Sequence, residues 1–272
     1  MLGGRITSDV GGPFRKRVTQ MQASEMKGKA AMVTGAAEYL GRATALRLAK
    51  AGADVCLVDT DLSGLEETAR TVRGLGVKAE IQAAAITARR SCFDLVERAV
   101  DAFGRLDAVC NVANAFRPSR SIEASQDDWE LSLAINLSAP FYLTQAALPQ
   151  LLKTEGAVVT VISGVAVLAE PYTAAYTASK AGVTQMMKSL AKEFIGEKVR
   201  INLVSFGGAA MNPAAKQSIP SNLDPKLFQR FSPVRPRIEI EKVADVIAFL
   251  VSDAASGFHG TCVTLDNGVS LG

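Results

Sequence analysis

The chain of 272 residues has a single histidine, His259, and only four cysteines. The cysteines are widely spaced and form no Cys-x-x-Cys pair, so they do not match a zinc-binding pattern. A metal site that needs several imidazoles is excluded because the chain has only one histidine. We therefore expect reduced, buried thiols, a solvated histidine without a role, and no metal.

Long apolar runs and a strong excess of one charge are also missing. No run approaches the roughly 18 apolar residues of a membrane-spanning helix, and the N-terminus has no apolar segment typical of a secretion signal. The 30 basic and 27 acidic residues leave a formal net charge of +3, too balanced to indicate nucleic-acid binding. We predict a cytoplasmic protein that binds small molecules, and neither a membrane nor nucleic acid.

Short apolar runs alternate with segments of helical length from residue 29 onward. The runs typical of strands read AAMVTG, ADVCLVD, VKAEIQAA, LDAVCNVA, GAVVTVIS, VRINLVS and TCVTLD. Such alternation predicts right-handed crossovers and a parallel sheet that is covered by helices on both faces. With 48% hydrophobic residues, the chain can bury the core of one domain. We expect an α/β fold, a doubly wound parallel sheet in three layers.

Two stretches depart from this alternation. Residues 1–26 are rich in Gly, Ser, Thr and Gln, carry RKR at 15–17 and show no apolar period. We predict that they form an N-terminal extension and that residues 27–272 form the catalytic domain. An organelle-targeting segment is the alternative, which Asp9 and two Gly pairs disfavour. The proline-rich stretch 212–236 is predicted to be a mobile insert between the last two strands.

Glycines and an aspartate near the first two strands indicate a dinucleotide site. Gly35 ends the first predicted strand, Gly41 lies at the opening of a helix, and Asp59 closes the second strand. Such a turn brings a pyrophosphate close to the backbone N–H groups of the helix N-terminus. Asp59 would accept hydrogen bonds from a ribose 2′-hydroxyl and repel a 2′-phosphate, which favours NAD over NADP. A simple strand-to-helix turn, with Asp59 as a helix cap, is the alternative.

Lys180 lies four positions after Tyr176 in a segment that is predicted to be helical. They would share one face of the helix, where an ammonium group lowers the pKa of a nearby phenol. Tyr176 could then act as a general acid or base. Tyr172 has no lysine at the same offset and is predicted to form a wall of the substrate pocket. The alternative is an ordinary amphipathic helix with neighbouring tyrosine and lysine.

Ser163 and Asn136 add to this candidate reaction centre. Ser163 ends a strand at the carboxyl edge of the predicted sheet, where open α/β folds bind their ligands. Asn136 lies in a predicted helix that begins at Ser125, and Pro140 follows four residues later. Because proline displaces the carbonyl four residues earlier, the Asn136 carbonyl is expected to leave the helical hydrogen-bond ladder and to bind water.

Together these residues resemble the short-chain dehydrogenase/reductase family in its form of roughly 250 residues. The resemblance runs from about residue 27 to the C-terminus and includes TGAAEYLG for TGxxxGxG and YTASK for YxxxK. It implies a Rossmann-type fold, a nicotinamide cofactor and a homo-oligomer, a dimer or a tetramer. It also implies a catalytic tetrad of Asn136, Ser163, Tyr176 and Lys180.

The resemblance further implies which residues meet the cofactor and the substrate. Tyr176 would exchange a proton with the substrate oxygen, Ser163 would orient that oxygen, and Lys180 would hold the nicotinamide ribose. The expected substrate contacts are Ser163 and Phe206, with Val165, Leu168, Tyr172 and Met211 suggesting an apolar pocket. The expected cofactor contacts are Gly35, Tyr39, Leu40, Gly41, Asp59, Ala85, Ile86, Asn111, Ala113, Tyr176, Lys180 and Ala209.

Several positions depart from the family pattern. Tyr39 replaces the middle glycine, Ala85 replaces an aspartate that normally contacts the adenine, and NVAN at 111–114 stands where NNAG is usual. These changes bear on cofactor binding more than on chemistry. The sequence thus predicts an NAD-dependent alcohol dehydrogenase or ketone reductase. The alternatives are a non-catalytic binding or regulatory protein of the same fold and, as a third possibility, a protein with a methyltransferase-like fold.

Overall fold

The structure is a computed structural model that describes residues 26–207, 219–228 and 236–271. Within these ranges no helix combines the length and the apolar character needed to cross a membrane. Met26, the last residue of the predicted N-terminal extension, is buried in the core. Residues 1–25 of that extension and most of the 212–236 stretch lie outside the described residues. So do Ala209 and Met211.

Seven strands form one parallel sheet. They are β1 (Ala30–Thr34), β2 (Asp54–Asp59), β3 (Ala79–Ala83), β4 (Ala108–Asn111), β5 (Ala157–Ser163), β6 (Arg200–Phe206) and β7 (Cys262–Leu265). Their order is β3-β2-β1-β4-β5-β6-β7, and every neighbouring pair runs parallel. The chain reverses its direction of winding between β1 and β4. At such a point the loops that follow the two strands diverge and leave a crevice.

Helices connect the strands. They are α1 (Tyr39–Lys50), α2 (Leu62–Gly74), α3 (Arg89–Phe103), α4 (Gln126–Leu133), α5 (Ala139–Thr154), α6 (Ala174–Glu193) and α7 (Ile240–Val251). A π-helical segment, Ala134–Ser138, joins α4 to α5. Short 3-10 turns occur at Gly164–Ala166, Asp253–Ala255 and Val269–Leu271, and a single helical turn occurs at Pro225–Phe228.

The core consists of two apolar layers, one on each face of the sheet. Ala31 and Val33 of β1 face the layer that contains α1, α2 and α7, while Met32 faces the layer that contains α3, α5 and α6. All five residues of β1 are buried. A strand that is covered on both faces needs apolar side chains at every position, which explains why the sequence shows continuous runs. The predicted three-layer, doubly wound α/β fold is confirmed.

Two minor expectations were wrong. Cys56, Cys92 and Cys110 are free and buried as predicted, but Cys262 is exposed because it lies on the edge strand β7. His259 is half-buried, and both of its ring nitrogens are within hydrogen-bond distance of backbone groups, those of Ala191 and Ile201. It therefore joins the loop before β7 to α6 and β6.

Candidate active site

A cleft of about 890 Å³ lies along the carboxyl edge of the sheet. Residues at or just after the ends of six strands, β1 to β6, line it. It therefore extends across the β1/β4 reversal, where open α/β sheets bind their ligands, and it is large enough for a dinucleotide and a small substrate.

The turn between β1 and α1 forms one wall of the cleft and depends on two glycines. Gly35 has a φ of +71°, which strains residues with a side chain. At Gly41 an added Cβ would lie 1.8 Å from the Gly35 carbonyl oxygen, so no other residue fits there. The first N–H groups of α1 have no partner within the helix and carry its positive dipole. This arrangement fits a pyrophosphate.

Tyr39 occupies the first position of α1 with a φ of +46°. The backbone thus keeps a left-handed conformation that glycine adopts easily and that tyrosine adopts only at a cost. The side chain lines the cleft and packs against the apolar layer that contains α7. Burial, and secondarily the charge of Glu241, raises the pKa of its phenol. The departure from the family glycine therefore alters the side chain while preserving the turn.

Asp59 lies at the end of β2 and faces the same part of the cleft. Its Oδ2 accepts a hydrogen bond from the Ala37 N–H at 3.2 Å, and its Oδ1 accepts one from the Thr60 N–H at 2.7 Å. These bonds hold the carboxylate at the position expected for a ribose. Glu38 also lines the cleft. The lysine and arginine that line it among the described residues, Lys180 and Arg117, come from later segments of the chain.

Most of the predicted cofactor residues meet in this cleft. Those that line it are Gly35, Tyr39, Leu40, Gly41, Asp59, Ala85, Ile86, Ala113, Tyr176 and Lys180. Asn111 was predicted to join them but does not line it. It is buried, and its side-chain amide donates to Thr160 Oγ1 at 3.1 Å. This contact forms because Asn111 of β4 lies opposite Thr160 of the neighbouring strand β5. Ala209 lies outside the described residues.

Asn136 supports the reaction centre from behind the cleft wall. Its side-chain oxygen accepts from the Ala115 N–H and its side-chain amide donates to the Ala115 carbonyl, both at 2.8 Å. The amide also donates to Ser179 Oγ at 3.2 Å, on the helix that carries Tyr176. The residue is 1% exposed and lies in the π-helical segment. Asn136 therefore ties the loop after β4 to α6.

Tyr176 is the central residue of the other half of the cleft. The side chains of Ser163 and Asn114 are its hydrogen-bond partners. Its ring meets the Phe116 ring edge to face, with 5.1 Å between the centroids. Burial raises the pKa of the phenol to about 12, although both hydrogen bonds act in the opposite direction. At neutral pH the hydroxyl therefore carries its proton.

Lys180 lies beside Tyr176, with its Nζ 5.6 Å from the centre of the tyrosine ring. It donates a hydrogen bond to the Val161 carbonyl at 3.1 Å and is 2% exposed. Burial lowers the pKa of this amine to about 7. The expectation that a lysine ammonium lowers the pKa of Tyr176 was therefore wrong for this structure. Both groups are removed from water, and burial is the largest cause of the pKa shift in each.

The substrate end of the cleft differs from the predicted apolar pocket. Ser163 and Phe206 line it, but Val165, Leu168 and Tyr172 do not. Val165 is buried in the 3-10 turn after β5. Tyr172 has a φ of +66° and its hydroxyl accepts from the Asp224 N–H at 3.3 Å, which directs it towards residues 219–228. Met211 lies outside the described residues.

Three residues that the sequence analysis did not assign to the reaction centre line this end instead. They are Asn114, Phe116 and Glu170. Asn114 stands out in the sequence only as a departure from a family glycine in NVAN at 111–114, a change that was expected to bear on cofactor binding. Glu170 lies in an irregular loop, where no periodicity indicates the direction of a side chain. The wall of the pocket is therefore partly polar.

Comparisons with known proteins identify relatives of this chain. A family model described as "Enoyl-(Acyl carrier protein) reductase" matches residues 35–270. The chain is 32% identical over 247 residues to the 3-oxoacyl-[acyl-carrier-protein] reductase FabG of Thermotoga maritima, covering 90% of this chain and 99% of that protein. It is 33% identical over 266 residues to the 2,5-dichloro-2,5-cyclohexadiene-1,4-diol dehydrogenase LinX of Sphingobium indicum, covering 92% and 99%.

Two solved structures are similar in fold. A short chain dehydrogenase from Mycobacterium paratuberculosis bound to NAD superposes with a TM-score of 0.84 at 25% identity, covering 92% of this chain and all of that one. A short chain dehydrogenase from Burkholderia cenocepacia in complex with NADP gives 0.82 at 27% identity, covering 90% and 99%. The two neighbours thus bind different nicotinamide cofactors on similar folds.

Proposed function

Because the chain belongs to the short-chain dehydrogenase/reductase family, we propose that it transfers a hydride between NAD(H) and the carbinol or carbonyl carbon of a small alcohol or ketone. The observation that carries this proposal is the juxtaposition of Ser163, Tyr176 and Lys180 on one wall of a cleft whose opposite end fits a pyrophosphate. The bound cofactor would accept the hydride as NAD+ and supply it as NADH.

The chain's own residues would manage the substrate oxygen and its proton. Tyr176 and Ser163 are hydrogen-bond partners, so one substrate oxygen can accept from both hydroxyls. In the direction of reduction, protonated Tyr176 gives its proton to the oxygen as the carbonyl becomes an alcohol. In the direction of oxidation it takes that proton back. Ser163 holds the oxygen in place. Asn136 joins the loop after β4 to α6 through its hydrogen bonds.

NAD is the cofactor we propose, in preference to NADP. The support is the Asp59 carboxylate, held at the end of β2 by three backbone N–H groups, with Glu38 nearby. A 2′-phosphate would meet negative charge here, whereas a 2′-hydroxyl would donate a hydrogen bond. Arg42, the basic residue nearest to Glu38 along the chain, is paired with Glu67 at 2.7 Å.

The substrate class that we propose at this level is a small secondary alcohol or the matching ketone. Phe116, Leu131, Ile135, Phe206 and Ile219 supply apolar surface to the cleft. The relative named as a 3-oxoacyl reductase and the one named as a diol dehydrogenase both have names that describe carbonyl or carbinol chemistry. A methyltransferase-like function would leave the arrangement of Ser163, Tyr176 and Lys180 without a use.

A non-catalytic, ligand-binding role is the second candidate. Two observations favour it, the tyrosine at position 39 and the asparagine at position 114, since both place side chains where the family has glycine. Weak NAD binding and no hydride transfer with a panel of alcohols and ketones would support this role over the enzyme.

The Tyr176→Phe variant tests the proposal. It removes the titrating oxygen and keeps the ring that packs against Phe116. We expect NADH formation at 340 nm to fall at least about a thousandfold, since the general acid-base group is lost, while NAD binding by calorimetry changes less than about threefold. Tyr142→Phe on α5 is the matched control, because Tyr142 does not line the cleft. Unchanged turnover in Tyr176→Phe would remove this residue from the mechanism.

A further inference from the structure

Glu170 is a carboxylate at the substrate end of the cleft that the mechanism above does not use. It lies between the 3-10 turn after β5 and the start of α6. Its backbone is held in place, since the Thr173 hydroxyl donates to the Glu170 carbonyl at 2.8 Å and Thr173 is 1% exposed. The loop therefore presents this side chain to the cleft at a defined position.

The Glu170 carboxylate is half-buried, and no hydrogen-bond donor from the rest of the described chain is paired with it. Burial alone raises its pKa. A polar group that is partly removed from water without a partner costs free energy, and a donor from a bound ligand would recover part of it. The same carboxylate is close enough to Tyr176 for its charge to act on that hydroxyl.

Asn114 faces the same space from the loop after β4. Its side chain is exposed within the cleft and is a hydrogen-bond partner of the Tyr176 hydroxyl. An amide offers both a donor and an acceptor, as a hydroxyl does. Ser163, Asn114 and Glu170 thus line the same cleft as Tyr176 and each acts on its hydroxyl, whereas one substrate oxygen needs only Ser163 and Tyr176.

We propose that Glu170 and Asn114 form a second hydroxyl-binding subsite beside Tyr176, and that the substrate is therefore a vicinal diol or the matching hydroxyketone. This inference rests on the proposed hydride-transfer function and names its substrate class. Glu170 accepts a hydrogen bond from the hydroxyl next to the reacting carbon, and Asn114 donates one to the same oxygen. The reacting oxygen remains with Ser163 and Tyr176.

The charges around this subsite favour a neutral diol over an anionic substrate. A carboxylate repels carboxylate or phosphate groups on a substrate. Arg117 and Lys180 are the basic residues that line the cleft among the described residues. The Arg117 guanidinium donates to the Phe116 carbonyl and approaches Asp128 at 3.9 Å, and the Lys180 amine donates to the Val161 carbonyl at 3.1 Å. An amino alcohol would also meet Glu170 with a donor, and the experiment below separates it from a diol.

The experiment compares cis-1,2-cyclohexanediol, cyclohexanol and 2-aminocyclohexanol as substrates of the full-length protein with NAD. We expect kcat/KM for the diol to exceed that for the mono-alcohol at least about tenfold, because a buried acceptor left unpaired penalises the substrate that lacks the hydroxyl. Equal use of diol and mono-alcohol would overturn the inference while leaving the proposed function intact. Preference for the amino alcohol over the diol would also overturn it.

Variants of Glu170 test whether the preference for the diol over the mono-alcohol depends on this residue. In Glu170→Ala the ratio of diol to mono-alcohol kcat/KM should fall at least about fivefold, and Glu170→Gln, which keeps an acceptor oxygen, should lose less. Glu66→Ala, an exposed glutamate on α2 away from the cleft, is the matched control and should keep the ratio. A ratio that stays the same in Glu170→Ala would contradict the subsite. No hydride transfer from any of the three compounds, with NAD binding intact, would refute the proposed function together with it.

Discussion

At the adenosine end of the cleft two acidic residues supply negative charge, Asp59 and Glu38, and we propose that Asp59 sets the preference for NAD. Asp59→Asn removes the negative charge and keeps one acceptor oxygen, which can serve either the Ala37 N–H or the Thr60 N–H, because these two groups bond to different carboxylate oxygens. We expect the preference for NAD over NADP, measured as a ratio of kcat/KM values, to fall about tenfold, equal to about 1.4 kcal/mol.

Asp59→Ala is the companion variant in this test. It removes both the charge and the hydrogen bonds that hold the turn, so its preference should fall by a similar factor and its thermal stability should fall as well. A preference for NADP in the unmutated protein would contradict the role given to Asp59. An unchanged ratio in both variants would do the same.

The pH dependence of the reaction follows from the raised pKa of Tyr176. Oxidation needs the phenolate, which takes the alcohol proton, and below a pKa of about 12 the phenolate fraction rises roughly tenfold per pH unit. Reduction needs the protonated phenol, which dominates at neutral pH. We therefore expect kcat/KM for oxidation to increase between about pH 7 and pH 10, while kcat/KM for reduction does not increase.

Initial rates in both directions, in buffers of constant ionic strength, check this expectation. Lys180 titrates within the same range, since burial lowers its pKa to about 7. Because it loses its charge as the pH rises, its titration cannot favour the phenolate at high pH. A rise in the oxidation rate is therefore assigned to Tyr176, and the absence of a rise across this range would contradict Tyr176 as the group that takes the proton.

At the scale of elements, the N-terminus of α1 is the part of the cofactor site that departs most from the family pattern. Tyr39 holds a φ of +46°, which costs a residue with a side chain about 1 kcal/mol relative to glycine. Tyr39→Gly relieves this conformation and removes a side chain that lines the cleft. We expect tighter NAD binding by calorimetry. Weaker binding would mean that the Tyr39 ring makes a contact of its own with the cofactor.

The strands could be predicted from the sequence, but the helix that carries Asn136 could be predicted only in part. Strands such as β1 are buried on both faces, so they appear as continuous apolar runs. Ser125 does cap the helix, accepting from the Asp128 N–H at 3.1 Å, as the sequence indicates. The π-helical segment before α5 was not predicted. Pro140 predicts that a helical backbone hydrogen bond is missing. Whether the backbone then forms a π-helical segment depends on packing against α6.

At the scale of the whole molecule, the site is assembled from segments that are distant in sequence. The carboxyl edge of a parallel sheet could be predicted as the place where Gly35, Asp59, Ser163 and Tyr176 meet. The environment of Tyr176 could not. The pKa of Tyr176 depends on the balance between burial, which raises it, and hydrogen bonds to nearby side chains, which lower it. The charge of Glu170 also acts on Tyr176, and Glu170 lies in an irregular loop whose conformation no periodic sequence pattern predicts.

Self-association is the last property that belongs to the whole molecule, and we propose it from the family resemblance. The helices that follow Asn136 and carry Tyr176 are the ones expected to pair between subunits. Phe141 on α5 is half-buried and Leu152, near the end of the same helix, is 37% exposed. Apolar side chains on such a helix face gain free energy when a second copy covers them. We expect sedimentation to give two or four times the chain mass of 28.7 kDa.

Leu152→Asp tests where the copies meet. A charge on α5 that is buried by association costs free energy, so this variant should shift the protein towards smaller species. Leu62→Asp on α2 is the matched control, because Leu62 is 50% exposed and lies away from α5 and α6, and its mass should match that of the unmutated protein. A monomer in the unmutated protein would refute the association. A shift in Leu62→Asp alone would place the contact on the opposite layer of the fold.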